Sequence, residues 1–454
     1  MSDQAVTEGA GAEQPSRAVA IELYSAAVSA VEPGRVTERA VDSLSITPNR
    51  RVWVYAFGKA APAMAKAAVE SLRRGRHEIA GGVVVGNGPE AEGTPAPFAT
   101  IQVCGGDHPV PGRRSFAAAA RIGQVSGGRV ANDVALVLVS GGTSSLIAAP
   151  LRGMAETDLS SLYEALLGSG LDIGAMNAIR KRFSRWAAGR FALALSPSTI
   201  HCLAMSDVPG DDLASIGSGP CVPDTYTAAQ VLEILRGAGL DSQLSAQQLE
   251  YLRSVQRGTE PETPKPTHPA FLHVSTRIIA NNALALRGAL EAARKLGFAA
   301  EIAAAPLGGG PAQAGREIAR RLIASRREDA GRRCIIWGGE TTVRLRPGEE
   351  ARGGGRSQEL ALAAAQELAA AGADAQGILI LAAGTDGRDG ATNAAGACVD
   401  ASTWDAIGAA GRDAAAALAR HESNGALASA GEGTLIPAHS TGTNVTDVVI
   451  GLVA

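Results

Sequence analysis

The chain has 454 residues, 55 of them glycine and 22 proline, a glycine share well above the roughly 7% usual in soluble proteins. Forty-two Lys and Arg against 45 Asp and Glu give a net charge of −3, so neither a nucleic-acid backbone nor an anionic membrane is expected as a partner. The glycines follow no G-x-y period, which excludes collagen, and the length suggests two or three domains with a large buried core.

Residues 1–16 are acidic, small and polar. They read as a flexible arm, and without a basic stretch followed by an apolar one they are no secretory signal. A helix is predicted over Ala18–Ala30. Short apolar, β-rich runs follow at Val52–Phe57, Gly82–Val85, Ile101–Cys104, Ala135–Val139, His201–Met205, Val274–Ala280, Ile302–Ala305, Cys334–Trp337 and Ile378–Ala382. Helical stretches lie between them at Ala60–Leu72, Arg113–Val125, Leu159–Leu167, Ala175–Leu195, Asn281–Leu296, Gln313–Ser325 and Gln358–Ala370. Continuous apolar strands alternating with helices predict an α/β protein with buried parallel strands and right-handed crossovers. Polar, proline-bearing Ser254–His268 reads as a linker or an exposed excursion. It divides the chain into a first domain over 17–265 and a second over 266–454. Arg346–Gly355 reads as a mobile loop. No apolar run approaches the ~20 residues of a membrane span. Cys104, Cys202, Cys221, Cys334 and Cys398 form no C-x-x-C pair, which fits a reducing compartment. A soluble cytoplasmic protein is expected.

The strand ends carry the chemistry. Val52–Phe57 runs into Gly58-Lys59, and Ala135–Val139 into Ser140-Gly141-Gly142-Thr143-Ser144-Ser145. His201–Met205 runs into Ser206-Asp207 and two further acids, Asp211 and Asp212. Cys334–Trp337 runs into Gly338-Gly339-Glu340, and Ile378–Ala382 leads to Gly384-Thr385-Asp386-Gly387-Arg388-Asp389-Gly390. Ligands of open α/β sheets bind beyond the carboxyl ends of the strands. Glycine there lets backbone N–H groups approach an anion, and helix N-termini favour negative charge. One such loop could be a plain turn with an N-cap; several, mixed with Lys59 and Asp207, indicate a phosphate-rich ligand and a divalent cation. Arg356, after a glycine run, is either a surface cap or a site residue. His108, in GGDHPVPG, is either structural or part of the site. Neither a P-loop, a G-x-G-x-x-G turn after the first strand, nor a G-x-S-x-G elbow occurs.

The ordered set FGKAA (57–61), GGDHPVPG (105–112), SGGTSSL (140–146), MNAIRKRFS (176–184), SDVPGDD (206–212), IGSGPCVPD (216–224), GGETTV (338–343), GGRSQELAL (354–362), GTDGRDG (384–390) and STGTNVTD (440–447) resembles the class II glycerate 2-kinases. The resemblance runs from about residue 18 to the end. It implies a larger Rossmann-like domain with a mainly parallel sheet, a smaller mixed α/β MOFRL domain, and an active site in the cleft between them. The implied reaction is transfer of the ATP γ-phosphoryl group to the 2-hydroxyl of D-glycerate with Mg²⁺, by a monomer or homodimer. Lys59 and Arg356 match the family's active-site lysine and arginine. Arg356 is open to gripping either the transferring phosphoryl group or the glycerate carboxylate. Ser140, Gly141, Gly142, Thr143, Ser144, Gly339 and Glu340 are assigned to phosphate and nucleotide, and His108, Arg180, Asp386 and Asn444 to substrate. Asp207 is assigned to catalysis and metal, with Asp389 as a further metal candidate. The chain departs from the family pattern at Arg182 and Phe183, which stand for the usual His-Leu, at Ala187-Ala188, where the family has Lys-Gly, and at Gly112, which stands for an Asp. These departures bear on how a carboxylate or an outer phosphate is held. The rival readings are an NAD(P)H-dependent hydroxypyruvate reductase, which needs the missing dinucleotide fingerprint, and a non-catalytic nucleotide- or sugar-phosphate-binding module.

Overall fold

Val134–Val139 is VALVLV and is buried along its whole length, as a strand covered on both faces must be. It is β4 of a six-stranded sheet formed with β1 (Arg51–Phe57), β2 (Glu78–Asn87), β3 (Ile101–Gly106), β5 (Thr199–Met205) and β6 (Val274–Ala280). The order is β3-β2-β1-β4-β5-β6, and every pairing is parallel. The chain winds outward from β1 to β3, returns to β4 beside β1, and winds outward again. The order therefore reverses between β1 and β4, which opens a crevice past their carboxyl ends. Below it the core is aromatic: Phe191 meets Tyr55 and Phe57 edge-on at 5.3 Å each. Such pairs add about 1 kcal/mol beyond area burial. The computed structural model describes residues 16–92, 95–328, 331–343 and 353–454. The predicted arm up to residue 15, and residues 346–352 of the predicted mobile loop, lie outside them.

The second sheet has the order β11-β10-β9-β12-β8-β7, with β7 (Ala299–Ile302), β8 (Arg333–Gly339), β9 (Ile378–Gly384), β10 (Ala394–Asp400), β11 (Leu435–Pro437) and β12 (Asp447–Val453). Only β7 and β8 are parallel; the pairs of β12 with β8 and β9, of β9 with β10 and of β10 with β11 are antiparallel. This is the smaller mixed α/β domain that the resemblance implied, beside the parallel sheet of the first. The predicted strand Ile302–Ala305 lies upstream, at β7, and β10 to β12 were not predicted. The predicted helix Ala175–Leu195 is two helices, Ile173–Phe183 and Arg190–Leu195, interrupted where the Arg185 N–H donates to the Ala149 carbonyl at 2.8 Å. Further helices at Pro33–Asp42, Ala228–Gly237 and Ala246–Gln256 carried no strong signal.

The chain divides into two compact units. The parallel-sheet unit comprises residues 32–281 and 442–445; the mixed-sheet unit comprises 282–441, 446–454 and the described residues up to Val31. The change of unit after β6 follows from pairing, since β6 hydrogen-bonds to β5. The helix Arg17–Ala30 joins the mixed-sheet unit because it packs on the helix Asn282–Lys295, and the Tyr24 hydroxyl donates to the Gly384 carbonyl at 2.6 Å.

Ser254–His268 is not a free linker. Glu262 accepts from Arg182 Nη1 at 2.5 Å and from the Ala228 N–H at 2.6 Å. The Thr263 hydroxyl donates to Asp224 at 2.8 Å, and the Asp224 N–H donates to the Pro264 carbonyl at 2.9 Å. The segment supplies the counter-charge for a buried cation. Among the described residues, no helix is long and apolar enough to cross a membrane.

Candidate active site

On the parallel-sheet unit, the loops after β1 and β4 are stitched together. The Lys59 N–H donates to the Gly141 carbonyl at 2.9 Å, and the Ala60 N–H to Ser140 Oγ at 3.1 Å. Gly58 has φ +118°, and a Cβ there would stand 2.2 Å from Ser140 Oγ, so only glycine fits this approach. The Thr143 hydroxyl returns to the Ser140 carbonyl at 2.7 Å. Ser144 Oγ pairs with Ser218 Oγ at 2.7 Å, and the Ser145 hydroxyl holds the Pro109 carbonyl at 2.6 Å. These bonds bring His108 over the crevice: from the Cβ position of Gly142, His108 Cδ2 lies at 3.2 Å and Lys59 Cγ at 3.5 Å. Asp207, after β5, lies against the same loop, its Oδ2 2.2 Å from where a Gly141 Cβ would be. Sequence reasoning missed Asn281, which directly follows β6 and donates to Asp211 at 2.6 Å. The same strand-end signal would have found it.

The electrostatics of this cluster are cationic. Lys59 is exposed. Arg180 stacks over the Tyr163 ring, 5.3 Å from its centroid, and its Nε is buried with no acceptor. Arg180 has no carboxylate partner among the described residues. Desolvation pushes the His108 imidazole down to about 4, and the positive charges of Lys59 and then Arg180 push the same way. His108 is solvent-exposed as a residue, so water screens part of those charges, and the ring is neutral at pH 7. Arg182, by contrast, is completely buried. It pairs with Glu262 and, at 3.4 Å, with Asp224, and Lys181 pairs with Asp224 at 2.8 Å. The departure at Arg182 is therefore structural. Gly112 is the N-cap of the helix Arg113–Val125 and offers no side-chain cap; Asp107 accepts from the Arg114 N–H at 2.9 Å in the first turn of that helix.

The mixed-sheet unit carries a second cluster. Glu340 follows β8, Arg356 opens the helix Arg356–Ala371, and Asp386 follows β9. Together with Arg388, Glu359 and His421 they line a cavity of about 500 Å³. Asp447 grips Arg356 with both oxygens, at 2.6 Å to Nε and 2.9 Å to Nη2, and Glu340 takes Nη1. Asp447 closes the STGTNVTD motif, yet its role was not read from the sequence. Burial pushes its carboxyl up to about 7, against the pull of Arg356, while the hydrogen bond and charge of Asp447 hold the guanidinium above its usual range despite its own burial. Asp389 is buried and accepts from the N–H groups of Ser357 at 3.1 Å and Gln358 at 2.8 Å, and from Gln358 Nε2 at 3.0 Å. It caps the helix that carries Arg356. Gly355 makes room, since a Cβ there would fall within 2.4 Å of every atom of that carboxyl group. Gly339 ends β8, next to Glu340. Asn444 lies in the 442–445 segment that groups with the parallel-sheet unit.

A Rossmann-ordered parallel sheet with a glycine-lined crevice carrying Lys59 and Arg180, coupled in one chain to a mixed sheet holding an arginine between carboxylates, defines a two-domain α/β protein. Residues 19–253 match a family model described as a domain of unknown function, DUF4147, and residues 333–447 match the MOFRL family. A D-glycerate 2-kinase from Thermotoga maritima is 36% identical over 438 residues, covering 96% of this chain and 98% of that protein. A protein named putative hydroxypyruvate reductase from Agrobacterium vitis is 35% identical, over 95% and 93% of the two chains. The crystal structure of a glycerate kinase from Thermotoga maritima superimposes with a TM-score of 0.82 at 35% identity, covering 96% of this chain and 99% of that one. The chain belongs to the class II glycerate 2-kinase family.

Proposed function

We infer that the protein transfers the ATP γ-phosphoryl group to the 2-hydroxyl of D-glycerate, giving 2-phosphoglycerate and ADP. The observation that carries this reading furthest is the uncompensated charge of Arg180 beside Lys59 and neutral His108. A half-buried cation with no carboxylate beside it is free to pair with an incoming anion, and an anionic substrate supplies that partner. Arg180 and His108 are assigned to the glycerate carboxylate. The backbone of Ser140–Ser144 and Lys59 are assigned to the phosphates, where phosphoryl transfer needs positioning and charge neutralisation more than covalent help. Arg356 uses three of its five donors on Asp447 and Glu340. It keeps two N–H groups, which are assigned to the transferring group.

Mg²⁺ holds its sites with one or two carboxylates, substrate phosphates and water. Asp207, against the phosphate loop, fits that role. Asp389, committed to backbone N–H groups, does not. A coupled ADP-release assay with D-glycerate, ATP and Mg²⁺, with the phosphorylated carbon identified by NMR, tests the assignment. Lys59→Ala and Arg356→Ala are each expected to lower kcat at least about 100-fold with the fold intact. NADH oxidation with hydroxypyruvate and no ADP would overturn it. The reductase name of the Agrobacterium vitis relative gains no support at the β1 turn, where Gly58-Lys59 stands in place of a dinucleotide fingerprint.

A further inference from the structure

Tyr163 has no place in the functional reading so far, yet it touches both halves of the parallel-sheet cluster. It lies on the helix Glu156–Leu167, whose buried face is Leu159, Leu162, Tyr163 and Leu166, and it is 2% exposed. A phenol buried this deeply needs a hydrogen-bond partner, and it has one: its hydroxyl donates to the Ser144 carbonyl at 2.9 Å. Burial pushes the phenol up to about 12, so it remains a donor throughout the neutral range. The ring face carries the Arg180 guanidinium at 5.3 Å. Arg180 has no carboxylate to fix it, and its Nε is buried without an acceptor. In the described residues, the aromatic face is what holds this charge in place before substrate arrives.

We propose that Tyr163 is a positioning residue for the substrate anion. Its hydroxyl pins the ring to the phosphate loop at Ser144, and the pinned ring presents the Arg180 guanidinium to the substrate carboxylate. An aromatic quadrupole attracts a cation without neutralising it. A carboxylate in place of the ring would cancel the charge the substrate needs, and an aliphatic side chain would leave it unsupported. The inference rests on the reading that Arg180 binds the glycerate carboxylate.

The test replaces Tyr163 by Phe and by mono-, di- and trifluorinated phenylalanines, which keep ring volume while weakening its negative face stepwise. Steady-state kinetics are measured with D-glycerate and with ATP varied in turn. KM for glycerate should rise with each fluorine, to about tenfold for the trifluoro ring, while KM for ATP stays within about twofold. Combined with Arg180→Gln, the fluorine series should lose its effect on glycerate KM. A purely structural tyrosine would give a glycerate KM independent of fluorine number, or equal rises for both substrates; either result overturns the proposal. If Arg180→Gln alone raises glycerate KM while the fluorine series is flat, Tyr163 falls and the Arg180 reading stands. If Arg180→Gln leaves glycerate KM unchanged, both fall.

Discussion

His108 reports on its neighbours. Its imidazole is held near pH 4 by desolvation and by the charges of Lys59 and Arg180, so removing either charge should raise it. In an NMR pH titration, Lys59→Ala and Arg180→Gln are each expected to move the His108 midpoint upward, toward the ordinary value near 6.5; an unmoved midpoint would separate the three side chains. Asp447 carries the opposite sign. Its folded carboxyl, raised to about 7 from 3.8, binds more protons than the unfolded chain between those values. Its contribution to stability is therefore complete below about pH 4 and is lost as pH rises through 7. Urea midpoints of wild type and Asp447→Asn at pH 4.5 and 7.5 should show a smaller decline with pH in the variant. Parallel declines would mean that Asp447 is ionised throughout. The same variant should lower kcat by at least about tenfold, because Arg356 loses its two-pronged clamp.

Elements were legible where backbone and burial agree. β1, β2, β4 and β5 show as short apolar runs because they are buried along most of their length, and the loops after β1, β4 and β5 carry Lys59, the Ser140–Ser144 run and Asp207 as expected. β10 stayed hidden because Ala394, Ala395, Gly396 and Ala397 have little intrinsic strand preference; they form a strand only because the neighbouring β9 and β11 pair with them. Asp447 was missed for a related reason: its partner Arg356 is 91 residues away in the chain, so no local pattern joins them. Of the two readings of Ser254–His268, linker and exposed excursion, the second fits: most of the segment is exposed, while Glu262 lashes it to a buried ion, a difference that prolines and charges alone do not reveal. Removing Glu262 leaves Arg182 only the Asp224 carboxylate, which it shares with Lys181. Glu262→Gln should cost about 3–5 kcal/mol in denaturant unfolding, a large share of the 5–15 kcal/mol typical of folded domains. A loss under about 1 kcal/mol would show that Asp224 alone compensates Arg182.

At the scale of the whole molecule, the mixed-sheet unit is assembled from both ends of the sequence. The helix Arg17–Ala30 covers it through Leu23, Tyr24 and Ala27, and β12 is an interior strand between β9 and β8. Deleting residues 1–31 should raise hydrogen–deuterium exchange in β9 and β12 and leave β1 and β4 protected; equal exchange in both proteins would make the helix dispensable. The same arrangement has a consequence for synthesis. Residues 32–281 can pair all six of their strands while later residues are still on the ribosome. The opening helix must wait some 250 residues for Asn282–Lys295, with its apolar face uncovered. The second sheet stays split until Asp447–Val453 slots between β8 and β9, and that same strand delivers the acid that clamps Arg356. A chain terminated short of residue 447 would keep Lys59 and its loop but have an unclamped Arg356, so translation must reach β12 before the full set of charged groups exists.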